Sequence, residues 1–155
     1  MQIRYDMVSC FVIRPDAGGS GWEFLQLHRC QTDFLGGTWQ TVYGQSESGE
    51  TPVAAALREL REETGLVPAE LYQLNDVDVF YIAQHDTLWH SISFCAVVRR
   101  QDKVALNPEH DAVRWLGAEA AEEHFMWPGN RRAVAEIRRQ IIANGPTKSY
   151  MRVRP

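Results

Sequence analysis

The segment from Pro52 to Thr64 constrains the fold more than any other part of the chain. Its sequence is PVAAALRELREET, with no glycine and no proline after the first residue. At about 100° per residue, a helix over this segment separates its aliphatic side chains from its glutamates. The sequence therefore predicts a helix that packs through one face and is acidic on the other. The aliphatic face is Val53, Ala56, Leu57 and Leu60, and the acidic face is Glu59, Glu62 and Glu63.

Signals at both ends delimit this helix. Thr51 is a favoured N-cap residue, Pro52 suits the first helical position, and Gly65 suits the left-handed position after the last turn. The loop GQSESG, residues 44–49, precedes the helix and follows the strand-like segment TWQTVY. Because glycine lets a backbone approach closely, such a loop can bring its peptide groups next to a metal ion or a phosphate.

The acidic face is unfavourable for the helix by itself. Like charges three or four residues apart weaken an isolated helix by roughly 0.2 to 0.5 kcal/mol per pair. Arg58 can pair with Glu62, but a bound divalent cation would neutralise the glutamates more completely. Mg²⁺ fits best, because it is a hard cation that carboxylates hold together with substrate phosphates. The helix therefore predicts a magnesium site and a phosphorylated substrate.

The spacing of this region resembles the Nudix box. Gly44 is followed after five residues by Glu50, and after seven more by RELREETGL, which begins at Arg58. On these residues the chain is similar to Nudix hydrolases. The resemblance implies an α+β Nudix fold, a mixed β-sheet sandwiched between α-helices, and a Mg²⁺ cofactor with Mn²⁺ as a substitute. The metal ligands that follow from it are Glu59, Glu62, Glu63 and Tyr43.

The resemblance also implies roles for single residues. Arg58 is expected to orient the glutamates and to tie Glu50 to them. One helix glutamate is expected also to orient or deprotonate the attacking water. Glu109 is expected to add a carboxylate from a later loop, with His110 and Asp111 as rivals. The expected catalytic residues are Glu59, Glu62, Arg58 and Glu109, and the expected loop and structural positions are Gly44, Glu50 and Gly65.

Further segments narrow the resemblance. WQTVYG, PEHDAVRWL and WPGNRRAVAEI resemble dihydroneopterin triphosphate pyrophosphohydrolases, although similar WQ strands occur in diadenosine tetraphosphate hydrolases and RNA pyrophosphohydrolases. Trp39 is the first candidate for stacking on a substrate ring, and core packing is its alternative. Phe34 is a second aromatic candidate. Arg29, at the end of a predicted strand, is a candidate phosphate ligand, with a solvated rim position as its alternative.

Length and composition limit the expected number of domains, the partners and the cellular setting. A chain of 155 residues with 45% hydrophobic content and no linker or repeat suits one domain, residues 1–155. A net charge of -4 argues against the basic patch or stripe that proteins use to bind nucleic acid, so we expect no nucleic-acid partner. An odd set of three cysteines without metal-type spacing predicts a reduced, cytoplasmic setting, and no segment has the pattern of a signal peptide or membrane span. A homodimer is an expectation carried by the resemblance.

Hydrophobic periodicity predicts the remaining elements. Strands are expected at 7–13, 23–29, 76–82, 88–100 and 111–116, with two hairpins formed by the first four. Helices are expected at 118–125 and 130–144.

These observations predict a Mg²⁺-dependent pyrophosphohydrolase that acts on a small phosphoanhydride. Dihydroneopterin triphosphate or a nucleoside triphosphate is the first candidate substrate, cleaved to pyrophosphate and a monophosphate. The alternative within this class is a dinucleoside polyphosphate or RNA 5′-end pyrophosphohydrolase. The alternative of another class is a non-catalytic nucleotide-binding regulatory module, which would not require all three helix glutamates.

Overall fold

A mixed β-sheet with helices against both faces organises the chain. The computed structural model describes residues 1–154, in which seven strands form this sheet. In chain order the elements are β1 (Gln2–Pro15), β2 (Trp22–Arg29), β3 (Trp39–Gln40), β4 (Val42–Gln45), α1 (Pro52–Thr64), β5 (Glu70–Ile82), a 3₁₀ turn (Ala83–His85), β6 (Thr87–Val97), β7 (His110–Gly117), α2 (Ala118–His124), α3 (Pro128–Glu136), a π-helical turn (Ile137–Ile142) and α4 (Lys148–Met151). The predicted α+β class and the mixed sheet between helices are confirmed.

The sheet divides along the central strand β1. On one side β1 runs parallel to β6, which pairs in turn with β5. On the other side β4 pairs with the middle of β1, and β2 pairs with its end, as the partners Val8 and Gly44 and the partners Ile13 and Phe24 show. β2 then continues away from β1 between β3 and β7. Helix α1 packs against β1 and β4, at the place where the two halves of the sheet separate.

Alternation along β1 creates two cores. Val8, Cys10 and Val12 face α1, whereas Phe11 and Ile13 face α2 and α3. Burying one such side chain contributes roughly 1.5 to 3 kcal/mol, so both helical layers are held firmly. Cys10 and Cys95 are buried and unpaired, as expected for small core residues.

The predicted elements are present, but their boundaries differ. β1 begins at Gln2 rather than at residue 7, and β6 ends at Val97 rather than at residue 100. Both predicted hairpins form, but β5 begins at Glu70, because pairing with β6 continues on the far side of a bulge between Gln73 and Val77. The predicted strand TWQTVY is two strands, because β3 pairs with β2 while β4 pairs with β1. The last long helix starts early, at Pro128, and becomes π-helical at Ile137. Within residues 1–154, no helix has both the length and the apolar character that crossing a membrane requires.

Candidate active site

The ends of α1 fix where its glutamates lie. The Thr51 hydroxyl accepts a hydrogen bond from the Ala54 N–H at 3.2 Å. Gly65 has a left-handed φ of 70°, and its N–H donates to the Arg61 carbonyl at 2.8 Å. Both predicted caps are confirmed. The last turns of α1 therefore lie where the sheet divides at β1, beside β4 and the start of β7.

The three helix glutamates differ greatly in exposure. The side chain of Glu62 is 56% exposed, that of Glu59 is 15% exposed, and that of Glu63 is 4% exposed. Glu63 is buried because the loop before β7 covers the last turn of α1, where the N–H groups of Ala105 and Asn107 donate to the Thr64 and Glu63 carbonyls. Its carboxylate oxygen Oε2 is buried without a hydrogen-bond partner.

His110 lies beside the Glu63 carboxyl, and Asn107 contacts both His110 and the Glu63 backbone. The His110 Nε2 atom lies 3.9 Å from Glu63 Oε2, and His110 Nδ1 lies 3.1 Å from the Asn107 Oδ1 atom. The Asn107 N–H also donates to the Glu63 carbonyl at 3.4 Å. His110 is predicted only as a rival of Glu109, and Asn107 is not predicted at all, because nothing in the pattern NPEHD indicates which side chains turn inward.

Burial and like charge both act on Glu63. Burial, with the charges of Glu109 and Glu59, raises the pKa of Glu63 from 4.5 to about 9, although the charge of Arg29 and the backbone of Tyr43 act in the opposite direction. Burial also raises the pKa of Glu59, although the Arg58 guanidinium works in the opposite direction. Burial lowers the pKa of His110. The site therefore concentrates carboxyl groups in a place where no nearby cation compensates them fully.

Arg58 joins the helix to the loop before it. Its Nε and Nη2 atoms donate to the two Glu50 oxygens, each at 3.0 Å. Its Nη1 atom donates to Glu59 at 2.8 Å and to Glu62 at 3.2 Å. Nη2 also donates to the Gln45 carbonyl at 2.9 Å. The predicted tie between Arg58 and Glu50 is thus present, and these hydrogen bonds lower the pKa of Glu50.

Gly44 is required by close packing rather than by its dihedral angles. A Cβ atom at this position would lie 2.0 Å from the Glu59 Cδ atom. Because Gly44 pairs with Val8, it lies on the sheet face that carries α1. The absence of a side chain therefore lets Glu59 lie directly against β4.

Arg29, Phe34 and Glu109 lie together at the rim of the site. The Arg29 Nη1 atom is 3.5 Å from a Glu109 carboxylate oxygen, and Arg29 Nε donates to the Phe34 carbonyl at 2.7 Å. Phe34 is 54% exposed, and its ring centroid is 5.9 Å from that of His85 in the turn between β5 and β6. The structure therefore brings these three predicted residues to one side of the glutamates.

Tyr43 and Trp39 point to the opposite face of the sheet. The Tyr43 hydroxyl accepts a hydrogen bond from the Asn130 amide at 2.6 Å, and burial raises the pKa of Tyr43 to about 12. This position follows from alternation, because the next residue, Gly44, faces α1. The expected role of Tyr43 as a metal ligand stays a prediction.

The Trp39 ring is already contacted on the face away from α1. Trp39 pairs with His28, whereas the neighbouring Leu27 belongs to the core beneath α1. The Arg114 guanidinium lies 4.1 Å above the Trp39 ring, and the His28 ring centroid is 4.9 Å away. These contacts describe packing of Trp39 within the fold, which is the alternative to its stacking on a substrate ring.

Comparisons with known proteins agree with this architecture. The family described as NUDIX domain matches residues 4–137. An octanoyltransferase of Myxococcus xanthus is 38% identical over 102 residues, which are 64% of this chain and 28% of that protein. An asymmetrical bis(5′-nucleosyl)-tetraphosphatase of Mus musculus is 34% identical over 88 residues, 54% of this chain and 58% of that protein.

A solved structure gives the same result for the fold. The E. coli dihydroneopterin triphosphate pyrophosphohydrolase has a TM-score of 0.66 and 26% identity, covering 89% of this chain and 96% of that one. The matches to the two sequence relatives span only 28% and 58% of their lengths, so they support the shared domain rather than the activity of either protein. With the family match over residues 4–137, the chain belongs to the NUDIX domain family.

Proposed function

We propose that the chain is a divalent-metal-dependent pyrophosphohydrolase that uses Mg²⁺, or Mn²⁺ in its place, to hydrolyse a diphosphate linkage. One observation carries the proposal: Glu63 is buried with an unpartnered oxygen beside Glu59 and Glu109. An unsatisfied buried polar group costs about 1 to 3 kcal/mol. A fold that keeps such a group next to other carboxylates gains most from a cation.

The donor set fits a hard divalent cation after a local rearrangement. Among residues 1–154, no three His, Cys, Asp or Glu side chains already surround a common metal position. The reason lies in Arg58, which draws Glu59 and Glu62 towards itself. Glu62 is exposed enough to turn, and Glu63 offers a free oxygen, so these residues with Glu59 would hold the ion. Oxygen donors suit Mg²⁺ better than zinc or copper.

The reaction places different demands on the ion and on the chain. When bound, the ion would supply charge neutralisation at the phosphate oxygens and promote ionisation of water. Hydrolysis adds one water to a phosphorus atom, breaks one P–O bond of the anhydride, and leaves a proton for a carboxylate of the site to accept. Arg58 would hold Glu59 in place during this step. Arg29, at the rim, would contact a phosphate, because its guanidinium can donate to two oxygens at once.

Dihydroneopterin triphosphate or a nucleoside triphosphate is the proposed substrate, with pyrophosphate and a monophosphate as products. The proposal is supported by the fold shared with the E. coli enzyme named above and by the exposed ring of Phe34 at the rim. Phe34 is the aromatic candidate for contact with a substrate ring, because Trp39 already packs against Arg114 and His28.

A dinucleoside polyphosphate is the second candidate substrate, and an RNA 5′ end belongs to the same group. The 34% identity to the mouse tetraphosphatase over 88 residues favours the dinucleoside polyphosphate. A non-catalytic nucleotide-binding module is the alternative of another class. It would not require the three helix glutamates or the ion pairs that Arg58 makes with Glu59 and Glu62, all of which are present.

The experiment is a substrate panel with product identification. The purified chain is incubated with dihydroneopterin triphosphate, nucleoside triphosphates, dinucleoside polyphosphates and a triphosphorylated RNA, each with Mg²⁺ and with chelator. Metal-dependent release of pyrophosphate from dihydroneopterin triphosphate or a nucleoside triphosphate supports the first candidate. Two nucleotides released from a dinucleoside polyphosphate without pyrophosphate, or pyrophosphate released from the RNA alone, support the second. Binding of nucleotides without any turnover, by folded protein in Mg²⁺, would favour the non-catalytic alternative.

A further inference from the structure

The side chains of His110 and Glu63 bring two unpaired ligand atoms together inside the protein. His110 is the first residue of β7, and Glu63 lies in the last turn of α1. The His110 Nε2 atom is 3.9 Å from Glu63 Oε2, and the two side chains are only 1% and 4% exposed. Glu63 Oε2 has no hydrogen-bond partner. Within residues 1–154, the hydrogen bond of the His110 ring is made by Nδ1 and not by Nε2.

Asn107 determines which ring nitrogen of His110 carries a hydrogen. The Asn107 Oδ1 atom accepts a hydrogen bond from the Glu109 N–H at 3.2 Å, which identifies this atom as the amide oxygen. The same oxygen is 3.1 Å from His110 Nδ1. Since an amide oxygen only accepts, Nδ1 is the N–H of the ring, and in a neutral imidazole Nε2 then keeps its lone pair. Nε2 is therefore an acceptor beside the Glu63 carboxyl.

A direct ion pair does not account for this arrangement. A buried imidazolium and carboxylate would form a charge-assisted hydrogen bond of about 2.7 to 2.9 Å, whereas the two atoms are 3.9 Å apart. Two buried acceptors side by side are unfavourable unless something between them binds both. A divalent cation does so, because a neutral imidazole and a carboxylate are both metal ligands.

The contact between His110 and Asn107 is the one that metal-binding histidines make. A histidine that binds a metal through one nitrogen almost always donates the N–H of the other to an oxygen, which fixes the tautomer and the orientation of the ring. The Asn107 side chain supplies this oxygen. The backbone N–H of Asn107 also donates to the Glu63 carbonyl at 3.4 Å. Asn107 thus holds the imidazole in place next to the last turn of α1.

We propose that His110 Nε2 is a ligand of the divalent ion that Glu63 binds, and that this nitrogen makes the site prefer Mn²⁺ over Mg²⁺. The assignment of His110 rests on the proposed function, in which the helix glutamates hold the ion. Neighbouring ligands of an octahedral ion lie roughly 3 Å apart, so the two side chains need to approach each other only slightly. Mg²⁺ takes oxygen ligands, whereas imidazole is a ligand of first-row transition ions. One nitrogen among oxygen ligands therefore disfavours Mg²⁺ more than Mn²⁺.

The direct test is pulsed electron paramagnetic resonance of Mn²⁺ bound to the 155-residue chain. A directly bound imidazole modulates the electron spin echo through its nitrogen nucleus. We expect this modulation for the natural chain and for His124→Gln, and its loss in His110→Gln. His124 is the matched control, because it is exposed and its Nδ1 atom donates to the Ala120 carbonyl in α2 at 2.7 Å. Isotopic labelling of the histidine rings should change the modulation, which identifies imidazole as its source without any substitution.

A second measurement is the ratio of the Mn²⁺ and Mg²⁺ dissociation constants. It is obtained by titrating the chain with Mn²⁺, with and without competing Mg²⁺, and following the resonance of free Mn²⁺. We expect His110→Gln to lower the preference for Mn²⁺ by about 10- to 100-fold, because glutamine offers an amide oxygen that Mg²⁺ accepts. Asn107→Ala keeps the imidazole but removes its acceptor, so it should weaken Mn²⁺ binding by about 10-fold. His124→Gln should leave both constants unchanged.

The outcomes separate this ligand from the proposed function. Mn²⁺ that binds the natural chain without nitrogen modulation would overturn the role of His110 and leave the metal-dependent hydrolase in place. Modulation and a metal preference that His110→Gln leaves unchanged would do the same. A natural chain that binds no Mn²⁺ would overturn both. The modulation of the labelled natural chain is decisive even where His110→Gln does not fold, because its absence excludes an imidazole ligand.

Discussion

Replacing Glu63 with glutamine should stabilise the metal-free protein at neutral and alkaline pH. Its pKa is raised from 4.5 to about 9, so the buried carboxyl stays protonated in the folded chain while the unfolded chain ionises. A raised folded-state pKa means that Glu63 does not oppose folding below pH 4.5. It opposes folding increasingly as the pH rises towards 9. Glutamine is of similar size and stays neutral at every pH.

The size of the effect follows from the pKa. One pKa unit corresponds to about 1.4 kcal/mol, so at pH 7.5 Glu63 lowers the free energy of unfolding by at most about 4 kcal/mol. We expect Glu63→Gln to be more stable than the natural chain by about 1 to 4 kcal/mol at pH 7.5, and close to it at pH 5. The same substitution should abolish the added stability that Mg²⁺ gives the natural chain, because it removes a proposed ligand.

The assay is urea unfolding in chelator, followed by circular dichroism at several values between about pH 5 and 8. Glu62→Gln is the matched control, because this side chain is 56% exposed and its replacement removes no buried carboxyl. It should follow the natural chain at each pH. A difference in stability between Glu63→Gln and the natural chain that does not change with pH would refute the reasoning.

Four further substitutions test the contacts around the glutamates. Gly44→Ala should lower the free energy of unfolding by about 1 to 3 kcal/mol in urea titrations and reduce turnover, because its Cβ would overlap Glu59; Gly18→Ala, whose Cβ has its nearest contact at 3.6 Å, should stay within about 0.5 kcal/mol. Arg58→Lys should reduce kcat by about 10- to 100-fold with little change in melting temperature, because an ammonium cannot hold Glu50 and Glu59 together; an unchanged kcat would show that these ion pairs are dispensable. Arg29→Ala should raise KM more than it lowers kcat, whereas Glu109→Ala should act mainly on kcat, and steady-state kinetics that show the reverse would exchange their proposed roles.

Local patterns were sufficient to predict the helix and most of the strands. The bounds of α1 follow from Thr51, Pro52 and Gly65, each of which acts through its own backbone conformation or a hydrogen bond one turn away. The two hairpins follow from apolar alternation interrupted by turn residues. Such signals are contained within a few residues, so a single sequence is enough to read them.

The arrangement of the site depended on contacts that a local pattern does not contain. Helical periodicity places Glu63 on the face opposite the aliphatic side chains, but it does not indicate that the loop carrying Asn107 and His110 covers this residue. Likewise, the orientation of Tyr43 is set by the pairing of β4 with β1. Both depend on residues far apart in the chain. The contacts of Arg58 were predictable, because Glu59 and Glu62 are near Arg58 in sequence and the family pattern includes Glu50.

Turnover by Glu62→Gln, compared with the natural chain at saturating Mg²⁺, tests the central claim most directly. Glu62 is an exposed proposed ligand, so glutamine should leave the melting temperature unchanged while removing a carboxylate from the metal. We expect turnover of the preferred phosphoanhydride to fall by at least about 100-fold. Near-normal turnover by this variant, with the same metal dependence as the natural chain, would contradict the assignment of the helix glutamates as the catalytic metal site.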